Sequence, residues 1–223
     1  MLFRNRREAG RALAMEVARL RLPNAVILGL PRGGIPVGYE VALFLRAPLD
    51  VFVVRKLGVP GFEELAMGAI ASGGVRVLNQ NVLDGLAVPT HAVDAVVARE
   101  RLELERRVLE YRRNRGPLVL TNQTVVLVDD GLATGATMRA AALAVRAFGP
   151  KRVVAAVPVG APESLAALSE LVNDVVSVAA PEGFDSVGAW YVDFTQTTDA
   201  EVRDLLTRSR FDGEGMSPVP GPS

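Results

Sequence analysis

Short, nearly unbroken apolar runs recur along the chain at Ala25–Leu30, Val51–Val54, Val75–Leu78, Val125–Val128, Val153–Val159 and Val175–Val178. Positions that are apolar throughout, rather than at every second residue, suit strands covered on both faces, as in a parallel sheet. Between these runs the spacing turns helical. Over Ala136–Phe148 it places Met138, Ala141, Ala142, Val145 and Phe148 on one face, and Gly149-Pro150 supplies the stop. Alternating buried strands and amphipathic helices predict an α/β fold, a parallel sheet flanked by helices with right-handed crossovers.

From Val93 to Arg115 charge dominates, with an apolar stripe of Val96, Val97, Leu102, Leu104, Val108, Leu109 and Tyr111. That pattern predicts a long helix packed on the domain edge and laced with i,i+4 ion pairs. A basic nucleic-acid-binding arm is the alternative, and the interleaved glutamates argue against it. The Pro- and Gly-rich end is expected to be a disordered tail over 212–223, leaving a single domain over 1–211.

Composition narrows the chemistry. The 223 residues carry 25 basic and 25 acidic side chains, no cysteine and one histidine, His91. Cys/His zinc sites, a cysteine nucleophile and His-rich metal centres are thereby excluded. Zero formal net charge gives no electrostatic footprint for nucleic acid. Arginines interrupt the N-terminal region, so no signal peptide is expected there. No apolar run approaches the roughly 20 residues of a membrane span. These features predict a cytoplasmic protein with neither membrane nor nucleic-acid partners. Only Lys56 and Lys151 are lysines among the basic residues, which draws attention to each.

Candidate chemistry concentrates where the strand Val125–Val128 runs into Asp129, Asp130, Gly131, Leu132, Ala133, Thr134, Gly135, Ala136 and Thr137. Loop amides and a helix N-terminus make an anion site, because unpaired N–H groups and the helix dipole both favour phosphate. Gly131 and Gly135 permit close backbone approach, and Thr134 and Thr137 offer hydroxyl donors. Two adjacent carboxylates at a strand's C-terminal end can accept from the vicinal hydroxyls of a ribose. A plain turn followed by a Thr-capped helix explains each piece singly, but not their order. The phosphate-binding lysine of a P-loop is missing.

This stretch resembles the phosphoribosyl pyrophosphate motif of type I phosphoribosyltransferases: two hydrophobics, two acids, then a loop containing T-G-x-T. The resemblance implies that Asp129 and Asp130 hold the donor's ribose hydroxyls while Gly131 to Thr137 wrap its 5-phosphate. It also implies a parallel sheet with a small hood, here built from the N- and C-terminal segments. Pro31-Arg32-Gly33-Gly34 sits where the family has its pyrophosphate loop, so Arg32 would clamp the diphosphate with help from the Gly33 and Gly34 amides. Arg55 and Lys56 end the strand Val51–Val54, pointing toward the ligand crevice, and Gly58, Pro60 and Gly61 mark the loop that in this family closes over the donor.

Near the end of the chain Phe184, Trp190 and Tyr191 are candidates to stack on an acceptor base, or to form the core beneath the hood. Ala133 stands where 6-oxopurine enzymes of the family carry an acid, so the loop looks more like that of adenine phosphoribosyltransferases. Those carry a glutamate in the mobile loop, and Glu64 or Glu63 is the nearest candidate. The N-terminal segment Phe3 to Arg11, the Pro31–Gly34 turn, the charged helix and the Gly188–Asp193 ending also resemble a group of predicted phosphoribosyltransferases, a resemblance that implies no particular acceptor.

The combined expectation is a Mg²⁺-dependent transferase. It would move ribose 5-phosphate from phosphoribosyl pyrophosphate to a nitrogenous, nucleobase-like acceptor, as in purine salvage. The magnesium would ride on the donor's phosphates and ribose with Asp129 and Asp130 near it, and family enzymes imply a homodimer. A non-catalytic sensor of phosphoribosyl pyrophosphate or nucleotide is the alternative.

Overall fold

The computed structural model describes residues 2–112 and 115–214, with side chains up to Ser209. In chain order its elements are α1 (Arg6–Ala18), β1 (Ala25–Gly29), α2 (Gly34–Leu45), β2 (Leu49–Val51), β3 (Val54–Val59), β4 (Phe62–Ala71), β5 (Val75–Leu78), α3 (Gln80–Gly85) and α4 (Thr90–Arg112). There follow β6 (Thr124–Val128), α5 (Ala136–Arg146), β7 (Arg152–Val159), α6 (Pro162–Ser169), β8 (Asp174–Ala179), a 3₁₀ turn at Gly188–Trp190, and α7 (Asp199–Glu214).

The central sheet is five-stranded and parallel, in the order β2-β1-β6-β7-β8. β1, β6 and β7 are buried on both faces, as their apolar runs require, whereas the edge strand β8 is only half-buried along its length. Ile27, Val126, Val128, Val154 and Ala156 face a core shared with α1, α2 and α7. Leu28, Leu30, Val125, Leu127 and Ala155 face α5 and α6. The helix α5 buries Met138, Ala141, Ala142 and Val145 on one face and stops before Gly149, whose φ of +66° suits glycine.

From β1 the chain steps to β2 on one side, then returns to place β6 on the other. The junction of β1 and β6 is therefore the topological switch point, where open α/β sheets hold ligands beyond the carboxyl ends of their strands. Register aligns the two ends: Gly29 pairs with Val128, and the Leu30 amide donates to the Val128 carbonyl at 2.8 Å. The residues after Gly29 and those after Val128 thus emerge side by side.

The region after the second apolar run departs from expectation. Val51–Val54 is split, its end starting β3, and Val75–Leu78 is not a strand of the parallel sheet but pairs antiparallel with β4. The loop expected around Gly58, Pro60 and Gly61 is a hairpin, with β3 and β4 antiparallel and only Pro60-Gly61 at its turn. Its composition explains the difference. Phe62 to Leu65 project into solvent at the outer half of β4, while Met67 to Ala71 are buried at the inner half, so the run shows no single period. Of the α4 stripe, Leu104 is 6% exposed, but Leu102 and Leu109 are 71% and 64% exposed. The expected tail boundary at Asp212 falls inside α7, which continues to Glu214; the rest of that segment lies outside the described residues.

Leu104→Ala should cost about 2–4 kcal/mol of stability, the usual range for a truncated core leucine, whereas Leu102→Ala should stay within about 0.5 kcal/mol. Urea unfolding of the two variants reads the difference directly.

Candidate functional site

At the switch point, β6 delivers Asp129 and Asp130 to the rim of the sheet, and β1 delivers the Pro31–Gly34 turn beside them. The Pro31–Arg32 peptide is cis. A side chain at Gly33 would overlap the Asp130 carboxylate, and one at Gly34 would overlap the Val128 carbonyl, so only glycine permits this approach. Both α2 and α5 begin at glycines, Gly33 and Gly135, that supply no side-chain cap. The Gly34 and Ile35 amides of α2 donate to the Leu30 and Arg32 carbonyls, and the Ala136 amide of α5 donates to Thr134 Oγ1. Among the described residues, the amides left to a ligand at these helix starts are therefore those of Gly33, Thr137 and Met138. Gly135 itself sits at φ +72°.

Asp129 Oδ1 accepts from the Asp130 amide at 2.9 Å. Asp130 Oδ2 accepts from Arg6 Nε at 2.7 Å, in an ion pair whose side chains are only 16% and 11% exposed. Burial, followed by repulsion from Asp130, pushes the Asp129 carboxyl well above the ordinary aspartate range. Burial also raises Asp130, against the lowering pull of Arg6. Arg6 is the residue that sequence reasoning missed. It lies in a segment noted only for resemblance, and no local pattern tells that a helix-start arginine reaches across the fold to the acid pair.

The loop beyond the acids is tied down at Leu132 and Ala133. Leu132 is buried, its amide donates to the Val159 carbonyl and its carbonyl accepts from the Ala161 amide, both at 2.9 Å. Leu132 thus anchors the loop, while Ala133, Thr134 and Thr137 are exposed and Ala136 is half-buried. The Ser164 hydroxyl donates to the Ala133 carbonyl at 2.5 Å, and the Ala136 amide donates to Thr134 Oγ1 at 3.4 Å.

A cavity of about 330 Å³ joins this loop to the hairpin: Thr137 lines it with Arg55, Lys56, Glu63, Glu64, Arg99 and Glu100. Lys56 Nζ donates to the carbonyl and the carboxylate of Glu64 at 3.3 and 3.4 Å. Arg55 is held by Glu100, with donor distances of 2.6 and 2.9 Å, so α4 restrains one of the two cations expected to point toward the ligand crevice and contributes Arg99 to the same cavity. Arg32 Nη1 lies 4.0 Å from Asp199 of α7, which also accepts from the Tyr111 hydroxyl.

The aromatic candidates separate. Tyr191 presents no free face: its ring lies against Phe3 and Phe194, with centroids at 5.6 and 5.0 Å, and its hydroxyl donates to the Asp130 carbonyl at 2.6 Å. It buttresses the acid pair in place of stacking on a base. Trp190 is half-buried and lines a second cavity of about 340 Å³ with Leu2, Gly183, Asp185 and Ala189. The N- and C-terminal segments meet here, through a Phe3–Tyr191 bridge and the Phe3 amide on the Trp190 carbonyl at 2.9 Å.

A parallel sheet with an acid pair and two uncapped helix starts at its switch point is matched by a family model over residues 5–189, described as the phosphoribosyl transferase domain. The chain belongs to that family. A Mycobacterium tuberculosis protein assigned by name to the phosphoribosyl transferases is 49% identical over 211 residues, covering 95% of this chain and 48% of the relative. The chain thus spans about half the length of the curated relatives it matches. A solved structure from Thermus thermophilus is 44% identical with a TM-score of 0.87, covering 93% of this chain and 99% of that one. The bifunctional protein PyrR of Chloroflexus aurantiacus is 36% identical over 105 residues, 47% of this chain and 52% of PyrR.

Because the folded state holds the Asp129 proton more tightly than the unfolded chain does, stability should fall as pH rises from the ordinary aspartate range through the raised value. Asp129→Asn keeps an oxygen for the Asp130 amide and removes the buried charge. The variant should therefore resist urea better than wild type at about pH 8, with the gap closing toward about pH 4. Parallel urea curves with no pH-dependent gap would show that Asp129 is solvated.

Proposed function

We propose that the protein transfers ribose 5-phosphate from phosphoribosyl pyrophosphate to a ring nitrogen of a nucleobase-like acceptor, releasing pyrophosphate. One observation carries this reading: two glycine-capped helix N-termini flank a carboxylate pair at a single sheet switch point. Two phosphate groups and a diol on one small molecule match that arrangement.

In this reading the amides opening α5, with Thr134 and Thr137, bind the 5-phosphate. Asp129 and Asp130 accept from the ribose hydroxyls, and the Gly33 amide with Arg32 binds the diphosphate, the Gly34 amide being held by the Leu30 carbonyl. The C1–O bond to diphosphate breaks, its electron pair leaving with the diphosphate, a bond from acceptor nitrogen to C1 forms, and the proton the base carried on its ring is released to solvent. The ribose passes through an oxocarbenium-like state, as in glycoside cleavage. Preorganised positive charge is needed where the leaving group gains negative charge, and Lys56 and Arg32 supply it. Arg55 assists from its place against Glu100. Holding both ends of the donor fixes C1 toward the acceptor and lowers the entropic part of the barrier.

Magnesium fits as a companion of the donor. Among the described residues no group of three metal-ligating side chains gathers, and Mg²⁺ commonly binds through substrate phosphates with one or two carboxylates. Asp129 and Asp130 are the carboxylates that would face it, and the bound ion would neutralise diphosphate charge. On the acceptor side, Ala133 brings no carboxylate to the loop, which favours an adenine-type base over a 6-oxopurine. Glu63 and Glu64 of the hairpin both line the cavity shared with Thr137, and in this reading Glu64 is the acidic group that meets such a base. The partly buried Trp190 is the aromatic candidate for stacking.

Calorimetric titration with phosphoribosyl pyrophosphate and Mg²⁺ should show binding, and addition of purine and pyrimidine bases should then release pyrophosphate with at least one base. Binding without release by any base would point to a sensor, and no binding would remove the reading. In the active pairing, Lys56→Met should lower turnover at least tenfold, about 1.4 kcal/mol of transition-state stabilisation.

A further inference from the structure

The acid pair does not offer all of its oxygens to a ligand, and the donor-site reading above acquires a specificity device from that fact. Asp129 Oδ1 is taken by the Asp130 amide. Asp130 Oδ2 is taken by Arg6 Nε at 2.7 Å and is also the atom that a side chain at position 33 would meet first. Among the described residues, the oxygens that accept no hydrogen bond from another residue are one from each acid, Asp129 Oδ2 and Asp130 Oδ1. Two separate acceptors match a vicinal diol, whereas a freely rotating Asp130 carboxylate would present either oxygen at any angle.

We infer that Arg6 is the positioning residue that sets recognition of the ribose hydroxyls, by locking the Asp130 carboxylate so that only Oδ1 faces the sugar. The lock is built from three directions. Arg6 Nη1 donates to the Thr195 carbonyl at 2.8 Å, and the guanidinium carbon lies 4.0 Å from the Phe194 ring centroid, within range for a cation–π contact. Tyr191 fixes the other half of the residue through the Asp130 carbonyl. A guanidinium suits the task because its planar fork can hold a carboxylate and a carbonyl at once while stacking on a ring. Arg6 itself touches no reacting atom in this arrangement; it acts through Asp130.

The test compares ribose 5-phosphate with its 2-deoxy and 3-deoxy analogues by calorimetry on the full chain, for wild type, Arg6→Ala and Arg6→Lys. Wild type should prefer ribose 5-phosphate over both analogues. In Arg6→Ala the penalty for the missing hydroxyl that Asp130 receives should shrink about tenfold, the scale of one well-placed charged hydrogen bond, while the other penalty stays. Arg6→Lys, which keeps the charge and loses the fork, should fall between. A merely structural role would weaken all three sugars together, so unchanged penalties in Arg6→Ala overturn the inference. If Arg6→Ala melts below the assay temperature, Phe194→Leu takes its place: it removes the ring under the guanidinium, and unchanged penalties there and in Arg6→Lys overturn the inference equally. Wild type that binds none of the sugars removes the donor-site reading itself. Wild type that discriminates, with variants that discriminate as well as it does, removes only the role of Arg6.

Discussion

Two carboxylates side by side at the end of a buried strand are the arrangement on which the rest of this structure turns. Taking one ionised carboxylate out of water is costly, and a second beside it adds repulsion. Neither Asp129 nor Asp130 can move away, because β6 is buried along its whole length and clamped between β1 and β7. The fold offsets the cost with Arg6 and with the Asp130 amide on Asp129, and Tyr191 fixes the Asp130 main chain through its carbonyl. Each of these comes with a structural demand. The N-terminal helix must start beside the C-terminal segment, and the turn after β1 must be glycine where it meets Asp130. A site whose carboxylates are held in this way is poised for a ligand that supplies hydroxyl donors, since those satisfy oxygens the protein leaves open.

The charged helix α4 is more than a solvated edge. Glu100 holds Arg55 on the hairpin, Tyr111 reaches Asp199 at the start of α7, and Arg112 lies 3.4 Å from Asp50 at the end of the central sheet. Burial and the Asp199 contact raise the Tyr111 hydroxyl to about 12, so it remains a donor at all ordinary pH values. Pairs that remain exposed, such as Glu103 with Arg106, contribute little by comparison, even though Arg106 and Arg107 lower the Glu103 carboxyl to about 2. The useful charges are those that cross between elements. Through them α4 connects the hairpin, the sheet edge and the residues beside Arg32 in one frame, so the two regions expected to face diphosphate share a support.

The parallel sheet was legible in the sequence because strands buried on both faces must be apolar at every position, and Ala25–Leu30, Val125–Val128 and Val153–Val159 are. The acid pair and its glycine loop were legible for a related reason: strand, acids, glycines and helix start lie within one continuous stretch, so their geometry is local. The hairpin was not. Its outer half is exposed even at Phe62 and Leu65 while its inner half packs beneath α5, and only the packing turns a segment with loop-like Gly58, Pro60 and Gly61 into two paired strands. Leu102 and Leu109 fit a helical stripe by spacing, yet they face solvent, because spacing defines a face without saying what covers it.

By itself, then, the sequence determined the α/β class, the position of the acid pair after a buried strand and the glycine-only helix starts on either side, since each follows from residue type and neighbours a few positions away. Tertiary structure alone decided that Arg6 meets Asp130 across 124 positions of chain, that Tyr191 buttresses the acids with its face covered, and that Arg55 is held by Glu100. Those contacts join residues whose local signals are silent about one another. Long-range pairing is set by how the sheet orders its strands and brings the two chain ends together at the switch point, and no short-range preference encodes that.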